Sequence, residues 1–255
     1  MLRYASTNRE LSRVLCKYFQ RGERVILDYA RENCTPVEAS EVEYVTKKII
    51  ESTPPGSMCA LKMSSFGSKS DTVGARAHVD SVIRAAVQRD LDVAIDAEEV
   101  LYPETSFDFM HEYNTEERAR VYKTYQMYRR DAFGELLADI ESSHRHGFML
   151  GAKLVRGAYL KTQPGVFDNK FDVDHNYNKA LHYTCTAPHV HTMVATHNPV
   201  SLRIVRKFDR GRYVTAKLMG FDEKTTVDYR YVPYGTLREL TPYLLRRLQE
   251  RLSWS

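Results

Sequence analysis

Short runs rich in aliphatic, β-branched and aromatic residues recur along the chain, at 24–29, 58–64, 91–96, 120–125, 152–159, 191–196, 213–219 and 230–234. Runs of this length and composition read as strands. Between them, segments such as 36–50, 74–89, 131–145, 176–184 and 201–208 space their apolar residues as one face of a helix requires. Strand followed by helix, eight times over, predicts a parallel sheet, and in a chain of 255 residues a closed β/α barrel over an open sheet. No linker rich in Pro, Gly or Ser divides the sequence. The expected organisation is a helical arm over residues 1–23 and one barrel domain over 24–255. The first 19 residues set Arg3, Arg9 and Arg13 against one acid, Glu10. A transit peptide and an amphipathic helix share that pattern, and the helix is the reading adopted.

In a barrel of this kind, reactive groups gather where strands end. The runs close on Lys62, on Asp96 and Glu98, on Gln126, on Arg156 and Tyr159, on His197 and Asn198, on Lys217 and on Tyr231. Any one of these is explained by a strand returning to solvent. Lys62, Asp96 and Lys153, however, interrupt otherwise apolar runs, and a charge buried there requires a partner.

The last helix is the most specific segment. Thr241 suits an N-cap and Pro242 a first helical position. At about 100° per residue, Tyr243, Arg246, Arg247 and Glu250 share one arc. Leu240, Leu244, Leu245, Leu248 and Leu252 fall opposite. Two guanidiniums side by side suit a carboxylate ligand, each offering a planar fork. A solvated face with ion pairs of about 0.2–0.5 kcal/mol each explains the same spacing.

Composition narrows the classes. Hydrophobic residues make up 43% of the chain, enough for a sizeable core, yet no apolar run reaches the roughly 18–20 residues of a membrane helix. Membrane contact is therefore expected to be peripheral. The net charge of +4 comes from 37 basic and 33 acidic residues without long blocks of one sign, so no nucleic-acid partner is expected. Cys16, Cys34, Cys59 and Cys185 are far apart, which argues against a disulfide framework or structural zinc. His189 and His191 precede the end of their strand, and no metal site is expected from them. His144, Arg145, His146, Arg129 and Arg130 read as solvated helix surface.

Six motifs in order resemble those of the proline dehydrogenase family. They are Leu61-Lys62-Met63-Ser64, Ile95-Asp96-Ala97-Glu98-Glu99, Thr124-Tyr125-Gln126-Met127-Tyr128, Lys153-Leu154-Val155-Arg156-Gly157-Ala158-Tyr159, Ala195-Thr196-His197-Asn198, and Tyr231-Val232-Pro233-Tyr234-Gly235. The helix Tyr243-Leu244-Leu245-Arg246-Arg247-Leu248-Gln249-Glu250 resembles the family's Y-L-x-R-R-x-x-E signature. The resemblance implies a TIM-like (β/α)8 barrel with an N-terminal helix and a C-terminal helix capping the active site. It implies FAD as cofactor, oxidation of L-proline to Δ1-pyrroline-5-carboxylate, and electron transfer to a membrane quinone. Localisation would be at the mitochondrial inner membrane in a eukaryote, or cytoplasmic and membrane-peripheral in a bacterium. Arg246 and Arg247 would bind the substrate carboxylate. Lys62, Glu250 and Asp96 would form the charged shell, with Tyr159, Leu154, Tyr231 and Tyr243 around the ring. Gln126 and Lys153 would address the flavin near N5, with Arg156, Gly157 and His197 lining the rest of FAD and Lys170 at its adenosine end.

The chain departs from the family at Lys217 and Phe221, where glutamine and methionine are usual, and at Gln163 and Arg251. The connection 220–231 is too short for the family's helix. Lys217 is expected to point inward, with the flavin's edge as its partner. The departures also motivate a second reading, a degenerate barrel that binds ligand or partner without turnover.

Overall fold

The computed structural model describes Ala5 and residues 7–99, 102–158 and 163–253. Among them are eight strands: β1 (Arg24–Tyr29), β2 (Met58–Leu61), β3 (Asp92–Ile95), β4 (Val121–Gln126), β5 (Leu150–Val155), β6 (Val190–Ala195), β7 (Tyr213–Leu218) and β8 (Tyr229–Tyr234). There are also eight α-helices: α1 (Asn8–Gln20), α2 (Pro36–Ser52), α3 (Thr72–Gln88), α4 (Pro103–Tyr113), α5 (Ala132–His146), α6 (Lys170–Thr186), α7 (Pro199–Val205) and α8 (Leu237–Ser253). The strands run parallel and follow one another from β1 to β8 in a closed barrel, as the alternation predicts.

Local chemistry sets the helix ends. Thr35 and Glu38 form a capping box on α2, with Pro36 at the first position. The side chains of Asp71, Asn169 and Asn198 accept from backbone N–H groups at the starts of α3, α6 and α7. Asn169 places the start of α6 at Lys170, earlier than the predicted Asn176. The predicted helices omit α4, whose Pro103 start is a readable signal. The start of α8 also differs from expectation. Thr236 is its cap: Glu239 accepts from the Thr236 N–H (2.7 Å) and hydroxyl (2.8 Å). Thr241 instead donates its hydroxyl to the Leu237 carbonyl, and Pro242 lies inside the helix. The Thr236–Glu239 box satisfies more backbone groups than a Thr241 cap would, so the helix starts one turn earlier.

The chain divides into two compact units, Met1–Asp96 with Lys217–Leu245, and Ala97–Ala216 with Arg246–Ser255. In the first, Ile26 on β1 pairs with Met58 on β2 and with Tyr231 on β8, and Leu61 pairs with Ile95 on β3. The alternate face carries Val25, Leu27 and Val232, and on it α1 buries Leu11, Leu15 and Tyr18. Each such side chain contributes roughly 1.5–3 kcal/mol. The Ala5 N–H donates to Pro233 O (3.0 Å), and its carbonyl accepts from Gly235 N–H (3.1 Å), tying the segment before α1 to the end of β8.

Between β7 and β8 no helix forms, and charge occupies that part of the sheet instead. Arg230 and Glu23 are both fully buried, paired at 2.8 Å, with Arg230 also donating to the carbonyls of Phe221 (3.2 Å) and Thr225 (2.9 Å). Glu223, in the same connection, accepts from Lys17 (2.7 Å), Tyr18 (2.9 Å) and the Gly220 N–H (2.7 Å). Burial opposes its ionisation, but these donors bring the Glu223 carboxyl down to about 2.

In the second unit, Tyr125, Leu154 and Val194 stand side by side on β4, β5 and β6. The Tyr125 hydroxyl reaches Asp139 on α5 (2.7 Å), which identifies this as the helix-facing side. Lys123 emerges on the same side, between Asp139 (2.6 Å) and Glu135 (2.8 Å).

Two outcomes follow from the buried charges. Glu23→Gln leaves Arg230 uncompensated and should cost about 3–5 kcal/mol in denaturant unfolding, whereas replacing both partners with apolar residues should cost far less. The depressed Glu223 adds stability above the ordinary glutamate value near 4.5, and this is lost as pH falls toward its folded value of about 2. Glu223→Gln should therefore flatten the acid limb of the stability profile, and an unchanged limb would show that its contacts add nothing.

Candidate active site

The first unit gathers one base and three acids where its strands end. Lys62 follows β2 directly, is 6% exposed, and its ammonium donates to the Asp28 carboxylate of β1. Glu32 Oε1 lies 3.9 Å and Asp96 Oδ2 4.0 Å from the same nitrogen. The Tyr231 hydroxyl donates to Asp96 Oδ2 at 2.6 Å. Burial pulls the Lys62 ammonium down, yet the three carboxylates outweigh it and hold its proton well above the ordinary lysine value. Burial likewise raises the Tyr231 phenol, with Asp28 and Asp96 adding to the effect, so it remains a donor. Lys62, Asp96 and Tyr231 were singled out from sequence and are brought together. Asp28 and Glu32 were not. Asp28 carries the same signal as Lys62, a charge within an apolar strand; Glu32 sits in a loop and carries none.

The first turn of α8 is fixed by the Tyr29 hydroxyl, which donates to Glu239 at 2.7 Å. Leu240 and Tyr243 are buried, whereas Leu245 is 55% exposed. The expected all-leucine buried face is therefore incomplete: Leu240 and Tyr243 are turned to the core and Leu245 to solvent. Arg246, Arg247 and Glu250 lie in α8, but their side chains are outside the described residues, as is Tyr159.

The second unit supplies the remaining candidates. Gln126 closes β4 at 2% exposure; its Nε2 donates to Ala97 O at 3.4 Å, while its buried Oε1 has no hydrogen-bond partner. The Thr124 hydroxyl is also buried without one, and Thr124 pairs across the sheet with Lys153, itself 4% exposed. Arg156 is held on three sides: Nε donates to Asp174 (2.6 Å), Nη1 to Thr196 (2.6 Å) and Nη2 to Ser201 (3.0 Å), above the Tyr177 ring at 4.3 Å. Lys170 shares Asp174 at 2.5 Å. Against the cost of burial, Lys170 and Arg156 lower the Asp174 carboxyl below its ordinary range. His197 follows Thr196, half-buried, before the Asn198 cap of α7. Gly157 has φ +129°, and a methyl group there would overlap the Tyr128 ring. Only glycine fits.

Leu154 is fully buried on β5, paired with Tyr125 and Val194 and opposite in parity to Lys153. One expectation is corrected. Lys217 is 3% exposed, but its ammonium is taken by Asp222 of the β7–β8 connection. The partner is a carboxylate five residues on, not a cofactor edge.

Among the described residues no cluster of His, Cys, Asp or Glu could hold a metal ion, and no helix is long and apolar enough to cross a membrane. The fold and its strand-end groups define a β/α-barrel protein with a buried lysine–carboxylate centre. The chain belongs to the proline dehydrogenase family, whose model matches residues 11–253. It is similar to the mitochondrial proline dehydrogenase 1 of Drosophila melanogaster, 27% identical over 213 residues, covering 68% of this chain and 31% of that protein. Human hydroxyproline dehydrogenase is 34% identical over 164 residues, covering 52% of this chain and 35% of that protein. Among solved structures, proline utilization A from Bdellovibrio bacteriovorus, inactivated by N-propargylglycine, superposes with a TM-score of 0.82 at 19% identity, over 97% of this chain and 32% of that one. The chain thus spans about a third of the length of these proteins.

Gly157→Ala should lower the thermal midpoint markedly, through both the clash and the left-handed φ. Tyr128→Ala in the same chain should relieve the clash, and a midpoint unmoved by Gly157→Ala would contradict the packing described.

Proposed function

We propose that this chain is the barrel of a proline dehydrogenase that oxidises L-proline to Δ1-pyrroline-5-carboxylate. The observation that carries the reading is the Asp28–Lys62–Asp96–Tyr231 cluster, with Asp28, Lys62 and Tyr231 buried, at the strand ends of a barrel in this family. The family is generally flavin-dependent, and FAD is the cofactor proposed here. The residues present suit it. The unpartnered Gln126 Oε1 is a buried acceptor for an N–H of the isoalloxazine ring, and a buried acceptor without a donor costs about 1–3 kcal/mol. Lys153, also buried, would place a cation by the ring, with Arg156, Gly157, His197 and Lys170 along the remainder.

A flavin held by these residues would supply the acceptor for a hydride from proline C5. The chain's own task is positioning and electrostatics. Arg246 and Arg247, one following the other on α8, would grip the carboxylate with planar forks, and Glu250 one turn on would steady them. Tyr231 and Tyr243, both buried in the first unit, would bound the ring, with Tyr159 alongside. Lys62 and Asp96 would balance charge at that pocket, and Lys153 would stabilise negative charge on the reduced ring. A membrane quinone reached by peripheral contact is the proposed electron acceptor. Mitochondrial localisation is proposed by analogy with relatives named as mitochondrial.

Anaerobic addition of L-proline to the flavin-loaded protein should bleach the visible flavin bands, with 4-hydroxyproline run beside it because relatives named for both activities match. FAD binding without bleaching by either amino acid would favour the degenerate barrel, and no flavin binding would overturn the cofactor assignment. Replacing Arg246 or Arg247 with Met should raise the proline KM about ten- to a hundredfold, the loss of about 1.5–3 kcal/mol expected for one charge-assisted hydrogen bond. Prolinamide should be a poor substrate for the parent protein, and equal use of the two would place the arginines away from the carboxylate.

A further inference from the structure

Resting on the reading of Lys62 as part of the substrate pocket, we propose that Asp28 is a positioning residue that fixes the Lys62 ammonium there and never touches the substrate itself. Asp28 is fully buried on β1, beside Ala60 on β2 and Pro233 on β8. Ala60 lies two residues before Lys62, so Asp28 sits one layer deeper in the barrel than the lysine, and the side chain of Lys62 turns back to reach it. One carboxylate oxygen accepts from Lys62; the other, Oδ2, is buried with no hydrogen-bond partner. An ionised carboxylate offers two acceptor oxygens and can take several donors. Here no second donor competes, and the single bond to Lys62 receives the whole interaction. Asp28 is closest to the nitrogen; Glu32 and Asp96 stand at 3.9 and 4.0 Å, beyond hydrogen-bond distance. Without Asp28, burial would act on Lys62 with only these more distant charges opposing it, and an ammonium so placed loses its proton readily.

The groups that bear on the charge of Lys62 are Asp28 and Glu32 from β1 and its loop, Cys59 on β2 and Asp96 after β3; Tyr231 bears on Asp28 and Asp96, with Tyr243 acting on Tyr231. Burial pushes the Cys59 thiol up to about 12 and the Tyr231 phenol donates to Asp96, so neither supplies a second anion as close as Asp28.

The test is Asp28→Asn in the flavin-loaded protein, with proline KM and kcat followed from about pH 6 to about pH 9. In the parent, Lys62 stays charged over that span. In the variant KM should rise about tenfold or more at the alkaline end and return toward the parent value at the acid end, a dependence that a general loosening of the barrel would not produce. Lys62→Gln should raise KM with no such pH dependence, and Asp28→Asn added to Lys62→Gln should cost little more, because the acid acts through the lysine. This double variant removes both charges of the pair and keeps the test alive if Asp28→Asn alone does not fold. Asp28→Glu should restore most of the parent behaviour. A flat pH profile in Asp28→Asn, or an equal loss from it with and without Lys62, would overturn the proposal. If the parent itself neither binds nor oxidises proline, the functional reading fails instead, and the two failures are told apart by the parent's own activity.

Discussion

The ammonium of Lys62, held inside a barrel at 6% exposure, is the constraint around which the first unit is arranged. An isolated charge there would be lost to desolvation, so the strand ends must deliver acids to it. β1 contributes Asp28 and its following loop Glu32, and the residue after β3 contributes Asp96. The β8 phenol of Tyr231 then closes the ring of contacts by donating to Asp96. Parallel pairing of β1 with β2 and β8, and of β2 with β3, sets the heights at which these groups meet. A one-residue slip in any of these strands would send its charge to the helix-facing side.

The same rule, that a buried charge needs a fixed opposite, recurs at the places where this chain departs from an ordinary barrel. Between β7 and β8 the missing helix removes the apolar cover that outward strand residues normally receive. Arg230 and Lys217 stand there in its place and are neutralised by Glu23 and Asp222. Helix α1 adds cover through Leu11, Leu15 and Tyr18, and its C-terminal end reaches the connection through Glu223. Ion pairs of this kind are costly to break from one side and contribute modestly as pairs, so they specify the arrangement more than they stabilise it.

The second unit solves a different problem, the aim of a flexible arginine. Arg156 leaves β5 just before Gly157, and its guanidinium is held by Asp174 of α6, Thr196 after β6 and Ser201 of α7, over the Tyr177 ring. Three elements thus converge on one side chain. Asn176 adds bonds to the carbonyls of Met127 (2.8 Å) and Arg129 (3.4 Å), which tie the turn after β4 to α6. The turn beyond β5 is shaped by Tyr128 lying on Gly157.

The sequence by itself determined the barrel and pointed to charges at its strand ends. Strand-length apolar runs alternating with helical patterns have few other ways to bury their faces, and charges such as Lys62 and Asp96 within those runs are visible without coordinates. The motif order carried the family. What the tertiary structure alone decided was pairing and direction. Asp28 and Glu32 come to Lys62 from about 30 residues away in sequence, a juxtaposition that depends on strand register. The parity of Leu154 and the partner of Lys217 depend on that register and on the course of a connection without periodicity. The start of α8 was misplaced for a related reason: Thr236 and Thr241 are both competent caps, and only the reach of Glu239 back to Thr236, with Tyr29 holding Glu239, selects the earlier one. Local pattern fixes which elements form; contacts between residues distant in sequence fix which side chains meet.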